Sequence, residues 1–492
     1  MISAQLPALQ VVVPLLAAPL CLVLHRPFAA WLLTFVVSGI SLLVSVALLG
    51  QILEQGVIDY TFGGWAAPFG IAYHIDFANA YVLLIVTAIS TVVSIFAKRS
   101  VASEIEAHSQ GLFYTAWLLC LTGLLGITIT GDAFNLFVFL EISSLSSYVL
   151  IAMGNDRKAL TAAYQYLIMG TIGATFILIG IGLLYMLTGT LNMLDMAQRL
   201  VAVADSRTAR TGFAFLTVGL GLKIALFPLH LWLPNAYAYA PSAVSAFLAA
   251  TATKVAVYVL LRFMFSVFGI DFALGAMPLS TMLVVLGSVA VLSASTVAIF
   301  QHNLKRMLAY SSIAQIGYLV LGVSLATPAG LTATLLHLFN HALMKGALFL
   351  ALGCIAWRLG SVRLGDLGGL GYRMPWTMGV FVIGGLSLIG LPLTAGFISK
   401  WYLVLAAVER GWWPVVLIII AGSLLAVIYV WRVIETAYLG KTKEAVSGTE
   451  APLSMLVPAW LLAIANLYFG MHTELSAGIA SQAAMVLFGG QP

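Results

Sequence analysis

Apolar windows of about 20 residues, the length that crosses a bilayer as a helix, recur along this chain with short polar breaks between them. They fall at 5–24, 29–51, 78–97, 112–130, 133–153, 161–187, 211–236, 242–266, 279–299, 306–326, 330–357, 376–408, 413–438 and 451–471. The pattern predicts an all-α integral membrane protein of about 14 transmembrane helices, organised as one membrane domain over 1–492. The windows 211–236 and 376–408 are too long for one straight crossing and contain Pro228, Pro234, Pro392 and Gly396. Proline removes a backbone donor and opens a helix, and membranes tolerate that where the freed groups line protein or a water-filled cavity. The two breaks lie five windows apart, in the seventh and twelfth. That spacing fits two inverted five-helix repeats, spans 4–8 over 112–266 and spans 9–13 over 279–438. Plain structural kinks would give the same breaks without a transport path.

Charge placement fixes an orientation. Alternate loops, beginning with the one at Arg26, carry twelve Lys and Arg, Lys441 and Lys443 among them, whereas the other set carries Arg199, Arg207, Arg210, Arg262 and Arg410. Positive charge marks cytoplasmic loops, so both termini are expected on the non-cytoplasmic side. The first window lacks a basic leader and reads as a transmembrane helix, not a cleaved signal.

Composition narrows the chemistry. Hydrophobic residues make up 62% and charged residues 8%, against about a quarter charged in soluble domains. The net charge of +5 comes without any basic block, so neither nucleic acid nor a polybasic lipid anchor is indicated; the expected surroundings are the lipid bilayer and other hydrophobic subunits. Cys21, Cys120 and Cys354 sit in apolar runs with no CxxC spacing, and 353–371 lacks a GxGxxG turn after a strand. No metal, redox cofactor or nucleotide is predicted.

Five ionisable side chains stand near the middle of apolar windows: Glu141, Lys223, Lys254, Lys345 and Lys400. Each central charge costs about 2.5–3.5 kcal/mol on insertion scales, so they must be paired, hydrated or neutralised. Burial disfavours the charged form of a lysine and a nearby carboxylate favours it. A lysine whose acid approaches or withdraws can therefore take up and release a proton. Static pairing is the competing reading, but buried pairs stabilise poorly and here four lysines face one central acid. His337, His341 and Lys345 recur at four-residue spacing, hence on one helical face, and suggest a relay; His230, just past the Pro228 break, is a further relay candidate. A zinc site on His337 and His341 would need a third ligand that is not near in sequence. Lys305 and Arg306 read as snorkelling anchors, Asp132 as a helix cap, and Arg432 with Glu435 as a structural i, i+3 pair.

Five segments together resemble the antiporter-like subunits shared by respiratory complex I, membrane-bound hydrogenases and the multi-subunit Na+/H+ antiporters of the Mrp type. They are GDAFNLFVFLEISSLSSYVL (131–150), LKIALFPLHLWLPNAYAYAPSAVSAFLAATATKVAVY (222–258), NLKRMLAYSSIAQIGY (303–318), HLFNHALMKGALFLALG (337–353) and GLPLTAGFISKW (390–401). Within the family the wording and length are most similar to the D-type chain of the Mrp antiporters. The resemblance implies a proton-translocating, non-enzymatic subunit of a Na+/H+ antiporter in the cell inner (plasma) membrane, moving H+ against Na+ beside hydrophobic partner subunits. It implies a Glu141–Lys223 pair in the first half-channel, Lys254 as the middle link, and His341 and Lys345 leading to Lys400. The alternative it leaves open is the proton-pumping arm of a redox complex, complex I-like or hydrogenase-like. Asn303 departs from the family, whose members often carry Asp before Leu-Lys-Arg.

Overall fold

The computed structural model describes residues 3–24, 26–441 and 450–489, so Lys443 of the charge count lies outside the described residues. Among these, twelve helical stretches are long and apolar enough to cross a membrane. Leading the chain are α1 (Leu6–Val23) and α2 (Pro27–Gln55), followed by a hairpin of β1 (Ile58–Thr61) and β2 (Ala72–Ile75). Next come α3 (Phe77–Glu104), α4 (Gln110–Ile129), α5 (Ala133–Ala152), α6 (Lys158–Thr188) and the short α7 (Met193–Leu200). The middle holds α8 (Arg207–Ile224), α9 (Trp232–Tyr239), α10 (Ser242–Ala250) and α11 (Ala252–Leu261), then α12 (Leu279–Ile299), α13 (Leu304–Ser324) and α14 (Pro328–Leu359). The C-terminal part holds α15 (Leu370–Arg373), α16 (Pro375–Ile389), α17 (Ala395–Glu409), α18 (Trp413–Leu439), α19 (Leu453–Met471) and α20 (Glu474–Leu487).

The two overlong windows are broken as their prolines require. Between α8 and α9 the chain turns through Ala225 at φ 61° and Pro228, and the freed Leu222 carbonyl accepts the Trp232 indole N–H at 3.0 Å. Between α16 and α17 it turns through Gly390 at φ 90° and Leu393 at φ 70°. Gly390 is required twice over: that φ suits glycine, and a Cβ there would lie 2.9 Å from the Lys400 side chain. A third break, at Thr251 between α10 and α11, carries no proline and leaves no mark in the hydropathy pattern.

Helix packing uses small residues, as expected where lipid offers no hydrophobic drive between helices. Gly173 on α6 meets Gly219 on α8, and Gly287 on α12 meets Gly317 on α13, each so closely that an added Cβ would touch backbone. Large apolar side chains such as Leu16, Leu43, Leu417 and Leu424 face outward, which is the surface a lipid-embedded chain needs.

One end of the bundle carries the β-hairpin. There Tyr73 bridges to Thr130 and Asp132 to Asn192, tying the hairpin to the turns after α4 and α6. Asp132 does cap α5, accepting from the Asn135 N–H at 2.7 Å; burial lifts its carboxyl above the ordinary value, against hydrogen bonds from Asn135 and Phe134 that pull it down. At the opposite end Asn303 pairs with Arg363. Asn303 also caps α13, accepting from the Arg306 N–H at 3.0 Å, so the departure from Asp keeps the capping role, for which Asn and Asp are equally suited.

Three charge assignments are corrected. Lys305 does not snorkel: it is buried and donates to the Ala240 carbonyl at 3.0 Å. Arg262 is no free loop charge but a buried partner of Asp76. No ion pair joins Arg432 to Glu435 among the described residues; Glu435 is exposed, where water satisfies it at least as well.

Candidate proton path

Glu141 lies on α5 and Lys223 in the last turn of α8, where a cation suits the carbonyl end of the helix. The ammonium donates to Glu141 Oε1 at 3.4 Å and to Ser144 Oγ at 2.7 Å. Lys223 is buried, whereas the Glu141 side chain keeps 27% of its surface open. The expected pair therefore forms, but loosely, with a serine competing for the same ammonium.

A small cavity of about 20 Å³ adjoins Lys223. It is lined by Ser144, Lys223 and Tyr166 on one side and by Ala252, Val255 and Ala256 of α11 on the other. Lys254, on the same helix, is fully buried and donates to the Ala249 carbonyl at 2.5 Å. That carbonyl is free because α10 ends at the Thr251 break. The break thus supplies a polar seat for a charge that has no acid within ion-pair distance among the described residues.

On α14, the ring centroids of His337 and His341 lie 6.0 Å apart and nearly parallel, at 12°. His341 precedes Lys345 by four residues on the same face of α14. Among the described residues neither of its ring nitrogens has a protein partner, although the ring is completely buried. Lys345 donates to Ser311 Oγ at 2.5 Å and to the Leu308 carbonyl at 2.8 Å. His337 is fixed differently, through Nδ1 to Ser399 Oγ at 2.8 Å.

Lys400 closes the row. Its ammonium donates to the Leu388 and Ile389 carbonyls at 3.0 and 2.9 Å, the last two of α16, and to Ser423 Oγ at 3.0 Å. The broken helix presents the negative end of its dipole to the charge. The same ammonium stands 4.8 Å from the centroid of the Tyr318 ring, which also meets His337 at 5.8 Å.

His341, His337 and Lys400 are thus brought together with Lys345 where α13, α14 and α17 meet, and Lys254 stands on α11, the helix that also walls the small cavity beside Lys223. His230 is not part of the row: its ring stacks on Phe227 at 5.2 Å and meets Tyr310 edge-on at 6.5 Å. Sequence reasoning also missed Ser144, Ser311, Ser399, Ser423 and Tyr318. Serines inside apolar windows look like ordinary backbone-bonded residues, and only the geometry separates these four from the rest.

With this geometry in view, comparison with known proteins assigns the chain. Residues 130–426 match the family described as NADH:quinone oxidoreductase/Mrp antiporter, TM. The chain belongs to this family. It is 42% identical over 491 residues to the N-type chain of the NADH-quinone oxidoreductase of Desulforudis audaxviator, covering 96% of this chain and 97% of that one. It is 29% identical over 486 residues to the D-type chain of the Na(+)/H(+) antiporter of Bacillus subtilis, covering 97% and 96%. Among solved structures, a chain of the Mrp complex from Dietzia sp. DQ12-45-1b superposes with a TM-score of 0.90 at 28% identity, covering 99% of this chain and 98% of that chain. Both branches implied by the five segments, the Mrp antiporters and the quinone oxidoreductases, are therefore relatives. The matched structure is a subunit of a multi-subunit membrane complex, and this chain is likewise a multi-pass subunit of that class.

Proposed function

We propose that this chain is the proton-conducting subunit of a multi-subunit Na+/H+ antiporter in the plasma membrane, with both termini on the non-cytoplasmic side. Fourteen crossings, two of them broken at prolines, make up the chain, and 112–266 and 279–438 are its two inverted repeats. The observation that carries the reading is the row of four buried lysines, one of them loosely tied to Glu141. A buried ammonium held by carbonyls and hydroxyls, with no locked counter-charge, is poised to lose its proton when its surroundings shift.

In this mechanism Glu141 sets the charge state of Lys223. When the carboxylate withdraws, Lys223 gives its proton to water in the adjoining cavity and thence to Lys254. Native structures leave few buried polar groups unpaired, so bridging water completes both ring nitrogens of His341, which relays between Lys254 and Lys345. His337 and the face of Tyr318 lead on to Lys400. Carbonyls at the Thr251 break and at the end of α16 steady the charge on Lys254 and Lys400 without neutralising it, and the Leu308 carbonyl with Ser311 does the same for Lys345. Na+ is the countertransported ion, and exchange is driven by the proton-motive force.

The 42% identity to a subunit of an NADH-quinone oxidoreductase supports a second reading, in which the same lysines serve a redox-driven pump. One experiment separates them: purification of the intact complex in mild detergent, with its subunits and iron counted and its Na+-dependent proton flux then measured in liposomes. Several small hydrophobic partners, no iron and Na+-dependent flux are expected. Iron–sulfur or hydrogenase subunits, with no response to Na+, would replace the antiporter reading with the pump.

A further inference from the structure

A groove of about 490 Å³ opens on the outside of the bundle beside the α8–α9 break, where α6, α9 and α13 meet. Clefts of about 300–1,000 Å³ are the size that holds small ligands. On its walls Leu231 is 69% and Ile168 43% exposed, so it opens onto the surface that lipid covers. Arg306 of α13 lines it as well. The Arg306 Nε is buried without a hydrogen-bond partner among the described residues, and no Asp or Glu lines the groove. Across from it, Asn235 donates to the Gln165 side-chain oxygen at 2.8 Å, which leaves the Gln165 amide NH2 as a further donor.

The groove is graded along its length. Helices α6 and α13 start at the end opposite the hairpin and run inward, while α9 runs out towards that end, where Lys305 holds the Ala240 carbonyl. Arg306 stands in the first turn of α13, and Gln165 and Asn235 lie nearer that end than Ile168, Met169 and Leu231 do in the same two helices. Donors therefore stand towards the aqueous end and apolar side chains deeper, the order in which headgroup and acyl chain follow one another in a leaflet.

We propose that this groove is a seat for one anionic phospholipid, its phosphate held by Arg306 and the Gln165 amide and the upper part of an acyl chain laid on Ile168, Met169 and Leu231. A guanidinium taken out of water without a partner is costly, and its fork matches two phosphate oxygens at once. A soluble anion would leave the apolar half of the groove uncovered. A zwitterionic headgroup brings a cation of its own, for which the groove has no carboxylate; a headgroup of net negative charge needs none. Basic pockets between membrane helices take such lipids for this reason. Seated there, the lipid lies against Trp232, which lines the groove and whose indole holds the freed Leu222 carbonyl next to Lys223. It braces the broken helix from outside, and its binding does not depend on what the buried lysines carry.

The test uses the whole complex, purified in mild detergent and reconstituted with phosphatidylglycerol that carries a photoreactive diazirine in one acyl chain, with adducts mapped by peptide mass spectrometry. Labelling at Ile168, Met169 or Leu231 is expected, and unlabelled phosphatidylglycerol should compete about fivefold better than phosphatidylcholine. Arg306→Gln should cut this labelling about fivefold and erase the preference; Arg306→Lys, which keeps the charge, should retain the preference. Equal competition by the two lipids in the parent protein would overturn the proposal, and that measurement decides even where Arg306→Gln fails to assemble. Labelling unchanged in an assembled Arg306→Gln complex would overturn it too. So would a groove that takes no lipid label because a helix of a neighbouring subunit fills it.

Discussion

Asp76 and Arg262 meet through two bonds of 2.7 and 2.9 Å, whereas Glu141 and Lys223 meet through one of 3.4 Å. The Asp76 carboxylate also accepts the N–H groups of Ala78 and Asn79, capping α3, and Arg262 presents a rigid fork that matches it. Lys223 instead carries a point charge on a flexible stem, shares it with Ser144, and faces a carboxylate that stays partly open. Both pairs join acid to base across helices. One is over-determined and cannot let go cheaply; the other sits close to the balance between bound and released. The comparison teaches that placing opposite charges together does not by itself make a releasable pair; in the proposed mechanism it is the looseness of the second pair that lets Lys223 part with its proton.

Breaking each pair should therefore have different consequences. The largest effect on transport is expected from Lys223→Ala, which should lower proton flux in the reconstituted complex by about a hundredfold or more, with normal recovery of the assembled complex. Asp76→Asn should act on stability: leaving Arg262 buried without its partner costs about 3–5 kcal/mol, read as a lower unfolding temperature and reduced assembly.

Acid sharpens the contrast. Burial alone would raise the Asp76 carboxyl, but the Arg262 guanidinium, His74 and the Asn79 N–H together hold it below its ordinary 3.8. A depressed carboxyl contributes stability that is present above its unfolded value and lost as pH falls through the folded one. The unfolding temperature should thus carry no Asp76-dependent change between neutral pH and about pH 5, should fall only below about pH 4, and should lose that acid limb in Asp76→Asn. Thermal melts of the two proteins across pH check this.

Smaller effects should separate the lysine with an acid from those without. Ser311→Ala removes the hydroxyl closest to Lys345, a hydrogen bond to a charged group in the range of about 1.5–3 kcal/mol, and should slow flux about tenfold or more. Ser144→Ala leaves Lys223 its carboxylate and should change flux by less than about threefold. Equal effects of the two would contradict the distinction.

Much of this is legible in the sequence. Hydropathy locates the crossings, Pro228 and Pro392 mark the broken helices, and Glu141, Lys223, Lys254, Lys345 and Lys400 stand out because charge is costly in an apolar run. The Thr251 break is not legible, since a backbone turn in a fully buried helix leaves no proline or polarity to mark it, yet it seats Lys254. Arg262 and Lys305 mislead for a related reason: a basic residue near the end of an apolar window is read as reaching water, and only packing shows that Asp76 and the Ala240 carbonyl hold these two inside. The β-hairpin and α20 lie in stretches too short or too mixed to register as crossings. Tyr318, between His337 and Lys400, is one aromatic among many until its neighbours are known.

The most direct test of the central claim is Na+-dependent proton flux of the reconstituted complex carrying Glu141→Gln, which keeps the shape of the side chain and removes its charge. Loss of flux with the complex fully assembled is the predicted result. Undiminished flux in that variant would mean that the loose pair does not gate the lysine row, and the account would be wrong.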